Sequence, residues 1–407
     1  MINRKEYLEK LLAWKDEPVI KVITGIRRSG KSTLLSLFKD WLLANNIQEN
    51  QIISINFEDL AFENLCDYKL LYEYIINKLE SNQKYYILLD EIQRVDSFEK
   101  AINSLQLKEN IDIYLTGSNA FILSGELATY LSGRYIEISI LPFSFAEYTE
   151  LNPNENKEIV FNEYLKVGGF PYIATIDKTN EKITMYLEGI YNTIILKDIE
   201  ERQKRRESDP TKRKVTDIAL LKNIAKFLAH SIGNPISIKS ISDYINSSGR
   251  KVSQNTIVDY LEVMTDSFIF YPVDRFDIQG KQLMKTSPKY YIVDLGIRNY
   301  LITKKEYDLG FCLENIVFLE LLRRGYKINI GKLETLEVDF ICQKNSLLQY
   351  IQVTASMADE KTFLREITPL KNIKDNYPKM ILTLDQYSIG NYDGIEVVNI
   401  IDWLLQK

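Results

Sequence analysis

The 407-residue chain carries 51 Lys and Arg against 56 Asp and Glu, a net charge of −5, with 45% hydrophobic and 26% charged residues. These values describe about two to four ordinary globular domains and exclude a global basic field that would announce nucleic acid, leaving only local patches for that role. The three scattered cysteines, Cys66, Cys312 and Cys342, exclude a disulfide framework or cysteine metal cluster, and no apolar run approaches the ~20 residues of a membrane span, so a cytoplasmic protein without a signal peptide is expected.

Tyr7, Leu8, Leu11, Leu12 and Trp14 predict a short amphipathic helix. Val19, Ile20, Val22 and Ile23 predict a buried strand. Then comes Gly25-Ile26-Arg27-Arg28-Ser29-Gly30-Lys31-Ser32-Thr33, the Gly-x-x-x-x-Gly-Lys-Ser phosphate-loop pattern. Leu34, Leu35, Phe38, Trp41 and Leu42 follow at helical spacing. Strand, glycine loop and helix form a phosphate cradle, because glycines let backbone N–H groups face the anion and the helix N-terminus adds positive potential. Lys31 is expected on the β- and γ-phosphates, and the Ser32 hydroxyl on Mg²⁺. Arg27 and Arg28 are either phosphate or partner contacts or a solvated loop face.

A strand at Ile52–Phe57 and a helix at Leu70–Leu79 precede Tyr85-Tyr86-Ile87-Leu88-Leu89-Asp90-Glu91. An apolar strand running into two acids is the Walker B pattern: Asp90 is expected to hold Mg²⁺ and Glu91 to polarise the attacking water. The strand Ile111–Asn119 ends in polar residues, of which Ser118 and Asn119 are both candidates for a γ-phosphate sensor where an extra strand lies between the loop and Walker B strands. Thr116 reads as a strand cap. A helix is expected at Leu123–Leu131 and a strand at Tyr135–Ile140. Between them, Arg134 is either an arginine finger reaching a neighbouring subunit or the partner of a local carboxylate.

The stretches GIRRSGKST, YYILLDEIQ, LTGSNAFILSGEL, LSGR and LPFSFAEY resemble the bacterial and archaeal ATPases of the AAA+ superfamily, in particular the group with a characteristic C-terminal region of unknown function. The resemblance covers essentially the whole chain. It implies ATP and Mg²⁺ as ligands and an α/β P-loop NTPase domain over 1–150.

Beyond it, a helix at Phe161–Val167 is stopped by Gly168-Gly169-Phe170-Pro171, the turn that opens the family's C-terminal region. A second helix spans Lys182–Glu201, so 151–214 reads as a helical lid or bridge. Its exposed tail, Arg202–Lys214, carries seven basic side chains against two acidic ones, which suits either DNA phosphates or a solvated loop. Helices at Leu220–Ser231, Ser237–Ser247 and Ser253–Thr265, then strands at Phe268–Val273 and Lys289–Val293, make 215–299 a winged helix. Its candidate DNA contacts are Lys239, Arg250, Lys251, Gln254 and Asn255. The one histidine, His230, reads as structural or surface.

Residues 300–407 follow the order helix, three strands, helix, strand of a restriction-endonuclease-like α+β domain. Glu314 and Asp339 match its acids. The Glu-x-Lys position reads Gln352-Val353-Thr354, which removes a metal ligand and an ammonium. A non-cutting module is expected over an active nuclease. The partner is DNA or protein, and a homo-oligomer is a candidate.

Overall fold

The computed structural model describes all residues except 1, 81–82, 119–132, 177–178, 207–216, 248, 303–307 and 407. The chain divides into two compact units, Met1–Pro142 with Asp266–Phe268, and Phe143–Thr265 with Ile269–Lys407.

The first unit is built on a parallel sheet of β1 (Ile20–Thr24), β2 (Ile52–Asn56), β3 (Tyr85–Asp90), β4 (Ile111–Gly117) and β5 (Tyr135–Ser139), in the order β2-β3-β4-β1-β5. The three central strands are buried along their whole length, which is why they read as continuous apolar runs. Alternate residues feed two cores. Ile20, Val22, Ile87, Leu89 and Ile113 pack with residues of the helices Tyr68–Ile76 and Phe98–Gln106. Ile23, Tyr86, Leu88 and Tyr114 pack with residues of the helices Lys5–Ala13 and Lys31–Ala44. As expected, β4 lies between the loop strand β1 and the Walker B strand β3. All three strands run parallel, so their carboxyl ends bring Gly25, Glu91 and Ser118 to one edge.

Lys21 interrupts the apolar run of β1 and is fully buried. Its Nζ lies 2.5 Å from Asp112 Oδ1, and the Tyr114 hydroxyl donates to the other Asp112 oxygen at 2.9 Å. A pair buried this completely contributes little net stability, but losing either partner would cost about 3–5 kcal/mol.

The second unit holds one eight-stranded mixed sheet, in the order β12-β13-β11-β10-β9-β8-β6-β7. Helices Ile218–His230, Ile238–Ser247 and Gln254–Asp266 precede the antiparallel hairpin β6 (Phe270–Asp277) and β7 (Gln282–Ile292). The hairpin is longer than expected and does not stand alone. Parallel pairing of Arg275 with Ile330 joins β6 to β8 (Lys327–Leu333), and thereby to β9 (Leu336–Lys344), β10 (Leu347–Thr354), β11 (Lys379–Thr383), β12 (Gly390–Tyr392) and β13 (Ile395–Asn399). The helix expected over Lys182–Glu201 runs over Asn180–Arg206. It takes in the start of the basic stretch, whose remainder lies outside the described residues.

The Gly168-Gly169 turn is explained by Asp294. A Cβ on Gly168 would lie 2.1 Å from Asp294 Oδ1, and one on Gly169 2.4 Å from the Phe143 carbonyl oxygen. The Gly169 N–H donates to Asp294 Oδ2 at 2.6 Å, the Ile297 N–H to Oδ1 at 3.2 Å, and the Phe143 N–H to the Gly169 oxygen at 2.7 Å. Burial raises the Asp294 carboxyl from 3.8 to about 6, against the backbone N–H donors that favour the charged form. A raised folded pKa means stability that is complete below about 3.8 and lost as pH climbs through about 6. Comparing wild type with Asp294→Asn by denaturant unfolding, the wild type should gain about 1–2 kcal/mol relative to the variant between pH 7.5 and pH 5. A pH-independent difference would contradict this.

Candidate active site

The phosphate loop leaves β1 at Thr24. Gly25 takes φ 140°, where a Cβ would stand 2.2 Å from the Ile140 carbonyl oxygen. Only glycine fits this close approach. Arg28 (φ 67°) and Gly30 (φ 100°) are also left-handed, and Gly30 caps the helix that begins at Lys31. Lys31 is 4% exposed, and its Nζ donates to the Gly25 and Ile26 carbonyl oxygens at 3.0 and 3.2 Å. Ser29 is buried, while Ser32 and Thr33 are exposed in the first helical turn. Arg27 Nη1 lies 3.5 Å from Glu58 Oε1, and Arg28 is exposed.

Asp90 ends β3, two strands from β1, and Glu91 follows it, both 7% exposed. The Thr116 hydroxyl donates to Asp90 Oδ1 and accepts from the Glu91 N–H at 2.9 Å. The Ser118 hydroxyl donates to Glu91 Oε2 at 3.2 Å, and the Gln93 amide donates to the same oxygen. Lys31 Nζ lies 3.9 Å from Glu91 Oε1. Burial pushes the Asp90 carboxyl above its usual range. Hydrogen bonds from Thr116 and Ser32 and the charge of Lys31 oppose this, and the charge of Glu91 adds to it. One edge of the sheet therefore gathers an ammonium, two carboxylates and three hydroxyls, a set that can neutralise phosphate charge, hold a hard cation and orient water.

Of the residues expected here, Gly25 to Ser32, Asp90, Glu91 and Ser118 come together. Asn119 and the helix expected over Leu123–Leu131 lie outside the described residues. Arg134 is exposed, and its carbonyl accepts from the Ile20 N–H at 2.9 Å. That sets it at the amino edge of the sheet, a strand length of roughly 15 Å from its own loop.

Residues 17–149 match the family model of an AAA domain, and residues 159–308 match that of a domain of unknown function (DUF8612). An uncharacterized protein of Haemophilus influenzae is 41% identical over 100% of this chain and 99% of its own length. A second, from Methanocaldococcus jannaschii, is 32% identical over 94% of this chain and 85% of its own length. The chain belongs to their family. Its N-terminal region is of the AAA+ P-loop ATPase type. A solved Walker-type ATPase of Pyrococcus abyssi is 18% identical, covers 74% of this chain and 96% of its own, and superposes with a TM-score of 0.47.

In the second unit, Glu314 and Asp339 converge on Lys289, which the sequence did not single out. Lys289 Nζ lies 3.0 Å from Glu314 Oε1, 2.7 Å from Glu337 Oε1 and 4.0 Å from Asp339 Oδ1. The Tyr291 hydroxyl also donates to Glu314, at 2.6 Å. Gln352 accepts from the Asp339 N–H at 3.2 Å and donates to Glu366 at 2.9 Å, and the Thr354 hydroxyl donates to the Ser356 carbonyl oxygen. Among the described residues, no group of three or more His, Cys, Asp or Glu side chains is arranged to hold a metal, and no helix is long and apolar enough to cross a membrane. His230 is exposed, and Cys66, Cys312 and Cys342 are free thiols.

Sequence reasoning missed four residues: Arg4, Thr116, Gln93 and Lys289. Thr116 and Gln93 sit inside recognised motifs, so their signal was present and read too narrowly. Lys289 leads an apolar run, Tyr290 to Val293, and a lysine there requires a buried partner. Nothing in the sequence around Arg4 marks it.

Proposed function

We propose that the chain is a Mg²⁺-dependent ATP hydrolase that couples turnover to rearrangement of its C-terminal segments around a partner. The observation that carries this is the joining of Asp90, Glu91, Thr116, Ser118 and Lys31 in one hydrogen-bonded and ionic site. Their chemistry fits the ligand: an ammonium for phosphate oxygens, and a hydroxyl and a carboxylate, Ser32 and Asp90, for a hard cation. Mg²⁺, which Ser32 and Asp90 would hold, would supply neutralisation of phosphate charge when bound. Lys31 binds phosphate, and Gly25 to Thr33 form the cradle. Glu91 orients water and takes its proton, with Ser118 and Gln93 fixing one carboxylate oxygen. Asn119 remains a candidate sensor beside Ser118. Arg134, set away from its own loop, serves as a finger only in trans, within a homo-oligomer.

We read 151–214 as the coupling bridge, 215–299 as a winged helix and 300–407 as a restriction-endonuclease-like module that does not cut. Support for the last is the loss of the Glu-x-Lys pair at Gln352 and Thr354 and the self-neutralised cluster around Lys289. Exposed Lys239, Lys251, Gln254 and Asn255 favour DNA as the partner. The second reading, a nucleotide-dependent switch for a protein partner, draws on the −5 charge and on Arg250, which is ion-paired with Asp217.

Lys31→Ala should abolish ATP binding in a fluorescent-nucleotide titration. Glu91→Gln should keep ATP affinity and lower steady-state turnover by about 10²–10⁴-fold; turnover at the wild-type rate would remove the base assignment. For the partner, anisotropy titrations with duplex DNA at low and physiological salt should show affinity falling with salt and weakened by the Lys239→Ala/Lys251→Ala pair. Absence of binding at low salt, with and without ATP, would leave the protein-partner reading.

A further inference from the structure

Arg4 is a charged residue near the start of the chain, yet it is only 3% exposed. Its Nη1 donates to the Ser29 carbonyl oxygen at 2.9 Å, and its Nη2 to the Leu141 carbonyl oxygen at 2.8 Å. The guanidinium lies 4.6 Å from the centroid of the Tyr7 ring. The Leu141 N–H donates to the Tyr7 hydroxyl at 3.2 Å, so both backbone groups of Leu141 are held by the N-terminal segment. One residue earlier, the Ile140 N–H donates to the Thr24 carbonyl oxygen at 2.8 Å, and the Ile140 carbonyl is the group that Gly25 passes so closely. Arg4 itself is fixed. It takes a left-handed φ of 43°, and its carbonyl accepts from the Tyr7 and Leu8 N–H groups at 3.0 Å.

The bond to Ser29 has a geometric consequence. A trans peptide is planar, with its carbonyl and the next residue's N–H pointing in opposite directions. Whatever holds the Ser29 carbonyl on one side therefore sends the Gly30 N–H to the other. Glycine at φ 100° offers no side chain to resist rotation of that peptide. The orientation must come from outside the loop, and a two-pronged, permanently charged guanidinium is suited to impose it.

We propose that Arg4 is the positioning residue of the nucleotide loop. It locks the Ser29–Gly30 peptide plane so that the Gly30 N–H faces the phosphates, and through Leu141 it ties that orientation to the end of the ATPase unit. The inference rests on the ATPase reading and adds to it a residue that touches neither phosphate nor metal. ATP binding that draws on the Gly30 N–H is strengthened by the lock, and a change in the loop is passed to residues 140–142.

The test uses the full chain with Arg4→Met and Arg4→Lys. Arg4→Met should raise KM and the nucleotide Kd by about tenfold, the size of a charge-assisted hydrogen bond, with kcat at saturating ATP within about threefold. Arg4→Lys, able to keep one of the two bonds, should fall between. A merely structural role would lower active fraction and kcat without moving KM. Unchanged Kd in folded Arg4→Met overturns the proposal, as does a loss confined to kcat. If Arg4→Met does not fold, hydrogen exchange on the wild type decides. ATP should slow exchange in 25–33 and at the Ile140 and Leu141 amides together, and protection of the loop alone overturns the coupling. A wild type that binds no ATP would instead overturn the ATPase reading itself.

Discussion

The two acids of the candidate active site are joined by one hydroxyl. Thr116 reaches across from β4 to β3, donating to the Asp90 carboxylate and accepting from the Glu91 N–H. It therefore orients two residues with different tasks. Glu91 is left-handed, φ 55°, a conformation that costs of order 1 kcal/mol and persists only where its surroundings hold it. The Thr116 bond to its N–H is part of what holds it. The bridge works only because β3 and β4 are in register, Leu89 opposite Leu115. A slip of one residue would turn Thr116 to the other face of the sheet and separate the pair.

The parts of the molecule that were legible beforehand are those whose cause is local. A glycine loop between strand and helix, and an apolar strand ending in two acids, declare themselves because backbone geometry and burial act over a few residues. The position of β4 between β1 and β3 was expected only by likeness to ATPases with an extra strand there, since strand order is not written in a local pattern. What was not legible depends on distant partners. Lys21 could not be explained within its own strand, since its counter-charge Asp112 lies 91 positions on. The Gly168-Gly169 turn was readable as a helix stop, but Gly168 is required by Asp294, more than a hundred residues later, and Gly169 by the Phe143 carbonyl. Thr116 passed for a strand cap because the pattern shows burial and not direction.

The C-terminal half shows the same division. Helix and strand periodicities placed its elements as far as β11, but not the helix Leu295–Leu301, β12, β13 or the helix Ile400–Leu405, and the joining of the 270–292 hairpin to the strands after 327 is a matter of β6 pairing with β8, which no local pattern encodes. The departure at Gln352 and Thr354 was visible in the sequence. Its companion was not: a buried ammonium from β7 sits among Glu314, Glu337 and Asp339. Burial alone would lower the pKa of Lys289, but the three carboxylates together outweigh it and keep the charge in place. Burial, together with the charge of Glu314, drives the Asp339 carboxyl well above its ordinary range. Protein cations and amide donors thus occupy the acids that a divalent metal would otherwise claim.

The account turns on Thr116, and one substitution isolates it. Thr116→Val keeps the branched shape that β4 packs while removing the hydroxyl. Steady-state ATPase kinetics paired with a nucleotide titration should show turnover lowered by about 10–100-fold, as for other residues that orient catalytic groups, with ATP affinity within a few-fold of wild type. A Thr116→Val protein that hydrolyses ATP at the wild-type rate would contradict the assignment of Asp90 and Glu91 to a site assembled through this hydroxyl.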